Sequence, residues 1–410
     1  MKKLIIITLL ISTLGLSASE EPVKKDDFKI FKNMPLDVIK HIIIQKLSIR
    51  DLVSFGQTST KHRQIIQAEL KKRLPGLSDE KLVKFSKLSN EYLNLAKDEI
   101  TKRSMQQNER FKSLVKDDTL DLKDKNITFI FPGAFKGLKD LQKLIISYNK
   151  LNKLAPETFK DLTNLQTLEL VSNKLTELEP GTFKGLKNLK ELNFDRNKLT
   201  ELKPGMLEGL VTLENLFIQD NGLKNIAPET FKGLVNLKTL GFARNELKNI
   251  APGTFKGLKN LKELNFAQNE LTNIAPETFK GLQSLQVLWL GRNKLKKLEA
   301  GSFDGLNNLI RLDIFDNKLT NIASGTFKDL SNLRELKLCR NELTKLEPGI
   351  FEGLKNLKKL EFNNNKLTNI EPGEFKGLKN LEQLILDAKL TEKNKNELRK
   401  ALPNVHIVYF

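Results

Sequence analysis

Residues 256–279 read KGLKNLKELNFAQNELTNIAPETF. Leu264 and Phe266 are apolar and separated by Asn265, with Glu263 and Ala267 outside them. That alternation has the two-residue period of a short strand with one face turned inward. Asn269, Leu271, Pro276 and Phe279 follow at set distances. The same spacing extends in both directions: Asn149, Asn173, Asn197, Asn221, Asn245, Asn269, Asn293, Asn317, Asn341 and Asn365 recur at an unbroken period of 24. Leu stands two residues after nearly every one, and apolar residues stand five and three before. A second column runs Phe135, Phe159, Phe183, Phe231, Phe255, Phe279, Phe303, Phe327, Phe351 and Phe375, interrupted by Leu207. Fixed-period self-similarity of this kind means stacked supersecondary units, each too small to bury its apolar face alone.

Each repeated residue has a physical task. Stacked coils pair their short strands in a parallel sheet, and the chain must then turn away, leaving backbone polar groups at a buried corner. An Asn carboxamide carries both donor and acceptor, so a column of Asn satisfies those groups from coil to coil. The Phe column supplies the core under the convex side, and Pro-Gly pairs such as Pro180-Gly181 suit an irregular return. These residues match the pattern LxxLxLxxNxL and, with the trailing aPxxF, resemble the 24-residue typical class of leucine-rich repeats over roughly residues 118–390. The resemblance implies an α/β architecture: a leucine-rich-repeat solenoid, or parallel-sheet horseshoe, whose ends depart from the pattern as caps do. Lys125 takes the Asn position at one end. At the other, Lys389 falls near it, and residues 391–410 form a cap with a helix at about 391–402 and a strand at Val405–Tyr409.

The chain before the repeats reads differently, and a small all-helical N-terminal domain is expected. Lys2 and Lys3, the apolar run 4–16 and Ser17-Ala18-Ser19 form the three parts of a secretory signal, residues 1–19, too short to span a bilayer. The mature chain is then exported, to the periplasm, the surface or the medium, without a transmembrane segment. Over 28–75, FKIFKNMPLDVIKHIIIQKLSIRDLVSFGQTSTKHRQII predicts three short helices, broken at Pro35 and at Ser48–Asp51. These residues resemble an F-box. Met34-Pro35 stands at its opening Leu-Pro, and Ile39 and Ile42 lie in its first helix. Leu47 and Leu52 stand at its turn and Phe55 in its last helix, while His62 takes the usual Trp position. The resemblance implies docking of a Skp-family adaptor, and so a substrate-recognition adaptor of a host ubiquitin ligase, delivered to a host cell as a bacterial effector. Residues 76–117 read as a helical linker.

Composition excludes most chemistry. Four hundred and ten residues exceed one ordinary core, a limit that a solenoid escapes. Cys339 is the sole cysteine, so no intrachain disulfide exists. The three His, His41, His62 and His406, lie far apart in the terminal segments, with no HExxH or CxxC spacing and no glycine-rich phosphate loop. Cys339 has no repeat His as its base. No enzyme, cofactor or metal is expected. Asn126-Ile127-Thr128 is a lone glycosylation sequon.

Binding is expected on the concave sheet, where side chains alternate with the buried Leu and where the repeats vary. Eleven coils give a sheet on the order of 50 Å long. Trp289, the only Trp, points outward in this register, with Phe315 on the next coil. Phe217 lies across a patch made small by Gly241, Ala243, Ala267 and Gly291. Arg244, Arg292 and Arg340 surround it with forked donors. Exposed aromatics beside a shallow depression are what a protein-binding hot spot needs. The four outward columns hold eight basic and ten acidic residues, which disfavours nucleic acid on this face. The net charge of +19 therefore lies elsewhere, much of it in a Lys column after the Phe: Lys136, Lys160, Lys184, Lys232, Lys256, Lys280, Lys328 and Lys376. That Lys-rich edge carries the alternative reading, a surface or periplasmic module for a polyanion.

Overall fold

The computed structural model describes residues 63–86 and 93–410. The expected signal segment and Met34, Pro35, Ile39, Ile42, Leu47, Leu52 and Phe55 lie outside the described residues. The chain divides into two compact units, Met1–Gln107 and Asn108–Phe410. In the first, helices α1 (Arg63–Arg73) and α2 (Asp79–Ser86) and most of α3 (Leu93–Lys112) are joined in part by a 3-10 turn at Leu74–Gly76. Ile66, Leu70, Leu74, Leu82 and Ala96 are buried. Arg103 ties the helices together. Its guanidinium donates to Glu99 at 2.9 Å, to the Leu77 carbonyl at 3.0 Å, to the Pro75 carbonyl at 2.8 Å and to Asp79.

The second unit is a solenoid. Its sheet has fourteen strands in the order β1 (Val115–Lys116), β2 (Thr119–Asp121), β3 (Lys143–Ile145), β4 (Thr167–Glu169), β5 (Glu191–Asn193), β7 (Asn215–Phe217), β9 (Thr239–Gly241), β10 (Glu263–Asn265), β11 (Val287–Trp289), β13 (Arg311–Asp313), β15 (Glu335–Lys337), β16 (Lys359–Glu361), β17 (Gln383–Leu386) and β18 (His406–Tyr409). From β2 onward every pairing is parallel. β10 and β11 illustrate the register, Leu264 facing Leu288 and Asn265 facing Trp289 across one repeat. β2 adds a coil ahead of the eleven expected from the sequence. Two smaller parallel ladders lie outside this sheet, β6 (Glu201–Leu202) with β8 (Asn225–Ile226) and β12 (Lys297–Leu298) with β14 (Asn321–Ile322).

The core follows the repeated letters. Leu192, Leu216, Leu240, Leu264, Leu288, Leu312 and Leu336 have no exposure, so truncating one to Ala costs about 2–5 kcal/mol. Phe rings stack along the opposite wall: Phe255 to Phe279 at 6.3 Å, Phe279 to Phe303 at 6.2 Å, Phe303 to Phe327 at 6.1 Å. The Asn ladder closes the corner. Asn269 Nδ2 donates to the Phe242 and Phe266 carbonyls at 2.9 and 3.1 Å, while its Oδ1 accepts from Leu247 N at 3.1 Å. Before five of the Phe a Thr turns its hydroxyl back onto the chain, as Thr254 Oγ1 does to the Ala251 carbonyl at 2.7 Å.

Both ends are closed by other means. At the N-terminal end β1 and β2 form an antiparallel hairpin, and its central residues Asp117 and Asp118 have φ of 45° and 55°. Two positive φ values mark a type I′ turn, which Asp tolerates. Phe111 of α3 stacks on Phe135 at 5.4 Å, and Asn108 donates to the Ala134 carbonyl at 2.9 Å. At the C-terminal end the ladder's last Asn is Asn365, and the Asp387 carboxylate accepts from Asn364 N at 2.7 Å and Asn365 N at 3.0 Å, where a regular coil uses a backbone carbonyl, as Arg340 N does with Asn363 O at 2.9 Å. Helix α4 (Glu392–Ala401) then begins at an N-cap, Thr391 accepting from Asn394 N at 3.2 Å, and β18 pairs with β17.

Candidate binding face

The parallel register puts one residue of every coil strand on the outer face of the sheet. Across seven strands this row runs Phe217, Gly241, Asn265, Trp289, Asp313, Lys337, Glu361. Trp289 and Phe217 are half-buried, their flanking leucines fully buried. The alternation thus works as the sequence requires: the indole stands on the sheet and outside the core. Among the described residues, Trp289 makes no ring–ring contact, and its indole N–H has no partner. With strands about 4.8 Å apart, Phe217 stands about 14 Å from Trp289 along the sheet.

Phe315 is placed differently from the expected depression. A Cβ built on Gly291 would lie 2.5 Å from Phe315 Cε1 and 3.2 Å from Asp313 Oδ1, so the ring rests directly over Gly291. Gly291 is needed here for space. Gly241 does the same more loosely, its added Cβ meeting Phe217 Cδ1 at 3.4 Å and Gln219 Nε2 at 3.3 Å. Phe315 and Phe217 pack against these glycines, and the rings occupy the depression.

The three predicted arginines lie in one column, at the residue before each ladder Asn. Arg244, Arg292 and Arg340 are exposed and hold φ of 57°, 56° and 55°. Non-Gly residues adopt this left-handed region seldom; here the turn into the ladder imposes it on every coil. Arg292 lies 5.4 Å over the Phe315 ring and 3.6 Å from Asp316 Oδ2, a cation–π contact on the ring that packs against Gly291. Arg244 donates to Gln268 Oε1 at 2.9 Å and to Asp220 Oδ2 at 3.4 Å. Arg340 has no side-chain partner among the described residues.

Beyond Trp289 the face is charged and internally paired. Arg311 meets Glu335 at 3.4 Å, Lys337 meets Glu361 at 3.5 Å, and Lys359 meets Glu361 at 2.8 Å. Burial holds the Asp313 carboxyl above its usual range, although Phe315 N donates to it at 3.2 Å. Burial, with the charges of Glu361 and Asp313, pushes the Cys339 thiol up to about 11. A thiol in that environment stays protonated and is a poor nucleophile. On the other flank burial pushes Asp195 up to about 6, Gln219 N donating to it at 2.6 Å.

The Lys column after the Phe is largely neutralised by its own edge. Glu157 takes Lys160 at 3.4 Å and Lys184 at 3.2 Å, Glu229 takes Lys232 at 3.4 Å, Glu277 takes Lys280 at 2.6 Å, and Asp304 takes Lys328 at 3.3 Å. Lys136, Lys256 and Lys376 have no carboxylate partner among the described residues, and they stand five coils apart. Glu157, Glu229 and Glu277 each stand three residues before a Lys of the column, a spacing present in the sequence, while Gly holds that position in the other coils.

A row of amides escaped the reading of the sequence. Asn308, Asn332, Asn356 and Asn380, at the turn just before their strands, donate to the carbonyls of Gln283, Asn307, Ser331 and Lys355 at 2.7–2.9 Å. Asn188, Asn236 and Asn260 do the same in earlier coils. Their 24-residue period was the available signal.

A family model described as leucine rich repeat matches residues 118–175, 163–223, 211–271, 259–319, 308–349 and 331–388. The segment 28–75 carries no family match. No curated protein matches the chain in sequence. Among solved structures, Toll from the Drosophila Toll–Spatzle complex superposes with a TM-score of 0.60 at 27% identity, covering 69% of this chain and 38% of that one. The chain thus spans well under half of the Toll chain it matches. The octameric complex of Latrophilin 3, Unc5D and FLRT2 contains a match with a TM-score of 0.64 at 22% identity, covering 72% and 90%. An internalin of Listeria monocytogenes, InlF, matches with a TM-score of 0.50 at 21% identity, covering 74% and 88%. Among the described residues no helix is long and apolar enough to cross a membrane.

Proposed function

Because the chain belongs to the leucine-rich-repeat family, we propose that it is a non-enzymatic binding module that holds a protein ligand on its concave sheet around Trp289. One observation carries the reading: the sheet displays an unpartnered indole beside a Phe ring seated on Gly291 and covered by Arg292. Rigid aromatics bury large area at small entropic cost, and Trp, Tyr and Arg dominate protein-binding hot spots. The similar Toll chain is solved in complex with Spatzle, which supports the class of ligand. Nucleic acid is disfavoured there by the carboxylates of the face. The polyanion alternative is weakened because most of the Lys edge is already paired.

The finer assignment, a host ubiquitin-ligase adaptor working through Met34, Pro35, Ile39, Ile42, Leu47, Leu52 and Phe55, is supported by the F-box pattern of those residues. Export is supported by the form of residues 1–19. Affinity capture with the full chain tests the reading. A bound protein should be retained by Lys256→Ala and lost with the pair Trp289→Ala and Phe315→Ala, with little dependence on salt. Steep salt dependence with indifference to Trp289 would favour the polyanion instead. Capture of a Skp-family adaptor that is lost when Pro35 and Leu47 are replaced would establish the finer assignment, and no capture would remove it.

A further inference from the structure

Along the rim where the chain enters β10 to β17 runs a groove of about 800 Å³, lined by Lys262, Gln286, Ile310, Arg334, Lys358 and the carboxamides of Asn308, Asn332, Asn356 and Asn380, with Ser284 at its edge. Its size is that of a ligand site, but its wall is not that of an ordinary small-molecule pocket. Ile310 is the single apolar residue in the lining, and it is 37% exposed. We propose that this groove binds an acidic oligosaccharide, a hydroxylated chain bearing carboxylates.

Three features point to that class. First, each of the four Asn spends one amide hydrogen on the carbonyl of the preceding coil. The carboxamides are thereby held in one orientation; Asn380 Nδ2 also reaches Asn356 Oδ1 at 3.5 Å, and Asn308 and Asn332 each offer a second N–H and an Oδ1. Sugar hydroxyls both donate and accept, and they satisfy such a row without a phase constraint. A peptide advances about 3.3 Å per residue with alternating sides, which falls out of step with coils about 4.8 Å apart. Second, Lys262 and Arg334 are exposed and make no ion pair among the described residues. In the same column Lys238 is paired with Glu214 at 2.7 Å, and Lys358 with Glu382 at 2.7 Å. The two free cations stand three coils apart in a groove whose lining contains no carboxylate, so they suit spaced anionic groups. Third, Ile310 lies between them in the column and offers an apolar platform for the C–H face of a ring. The corresponding groove near the other end is lined by Asp118 and Asp140 with Lys190, and it should reject the same ligand.

Titration of the full chain with tetragalacturonate, maltotetraose and tetraglutamate tests the proposal. Tetragalacturonate should bind saturably, at least tenfold more tightly than either comparator. Binding should weaken at least tenfold in the double variant Lys262→Gln, Arg334→Gln and vanish in Ile310→Asp. All three positions are exposed, and equal melting temperatures would confirm intact folding. Trp289→Ala should bind as the parent does, which separates this groove from the protein-binding face. Absence of saturable binding would overturn the proposal. An equal loss in Lys190→Gln would do so too, because it would mark diffuse charge attraction. Tighter binding of tetraglutamate would assign the groove to an acidic peptide.

Discussion

Replacing Asn269 by Ala isolates what the ladder contributes. The side chain is only 7% exposed. Its loss leaves Leu247 N–H without an acceptor, and the Phe242 and Phe266 carbonyls without the amide that reaches them at 2.9 and 3.1 Å. A buried polar group left unpaired costs about 1–3 kcal/mol. Three such groups at the lower part of that range, with some relief from entering water, give a loss of about 3–5 kcal/mol. The damage should be local at first, because a coil contacts only its neighbours. Urea unfolding gives the total, and hydrogen exchange at the Leu247 amide gives the local opening. Asn260→Ala is the control: its exposed amide makes one bond, to the Val235 carbonyl at 2.9 Å, and its loss should cost less than about 1 kcal/mol. If Asn269→Ala cost no more than the control, with Leu247 still protected, the ladder would not be what fastens the coils.

Gly291→Ala should unseat Phe315. The ring is half-exposed and can swing away, so stability should change by less than about 1 kcal/mol, while a fluorine label on the residue 315 ring should shift strongly; an unmoved signal would contradict the seating. Asp195→Asn tests a burial effect whose sign is fixed by the raised folded value of about 6. The protonated acid is the better-tolerated form, so native stability is full below the unfolded pKa of about 3.9 and declines as pH rises through about 6. The variant should therefore gain about 1–2 kcal/mol over the parent at pH 7–8, after allowance for solvent screening, and the gain should disappear by pH 4; a constant difference would refute it. Cys339, pushed up to about 11, should alkylate at pH 8 about two orders of magnitude more slowly in the native chain than in urea, where the thiol titrates near 8.5. Equal rates would place it in an open, electropositive setting.

Much of the fold was legible because each core letter serves a periodic contact. Leu264 and Phe266 alternate as a strand must, Asn269 recurs where a corner must be satisfied, and Phe279 repeats where the outer wall needs volume. The outward position of Trp289 followed from the same register. The misread features depend on contacts across coils that no single window contains. Gly291 looked like empty space, but Phe315 from the next coil lies on it. The Lys column looked like a source of free charge, but carboxylates from the same edge compensate most of it. Asn308 and its equivalents recur at the repeat period, but they sit in a turn that any polar residue could occupy, and their bonds to the preceding coil are what make them a second ladder. At the C-terminal end the Asp387 side chain supplies an acceptor to two backbone N–H groups of the preceding coil, a contact that the spacing of the Asn column does not mark.

Photocrosslinking addresses the binding face most directly. A benzoylphenylalanine at position 289 and, in a separate chain, at position 256 on the Lys edge would be exposed to the same bound protein. Covalent capture from 289 and not from 256 is the predicted result. Capture from 256 alone, or equal capture from both, would contradict a ligand held on the sheet around Trp289.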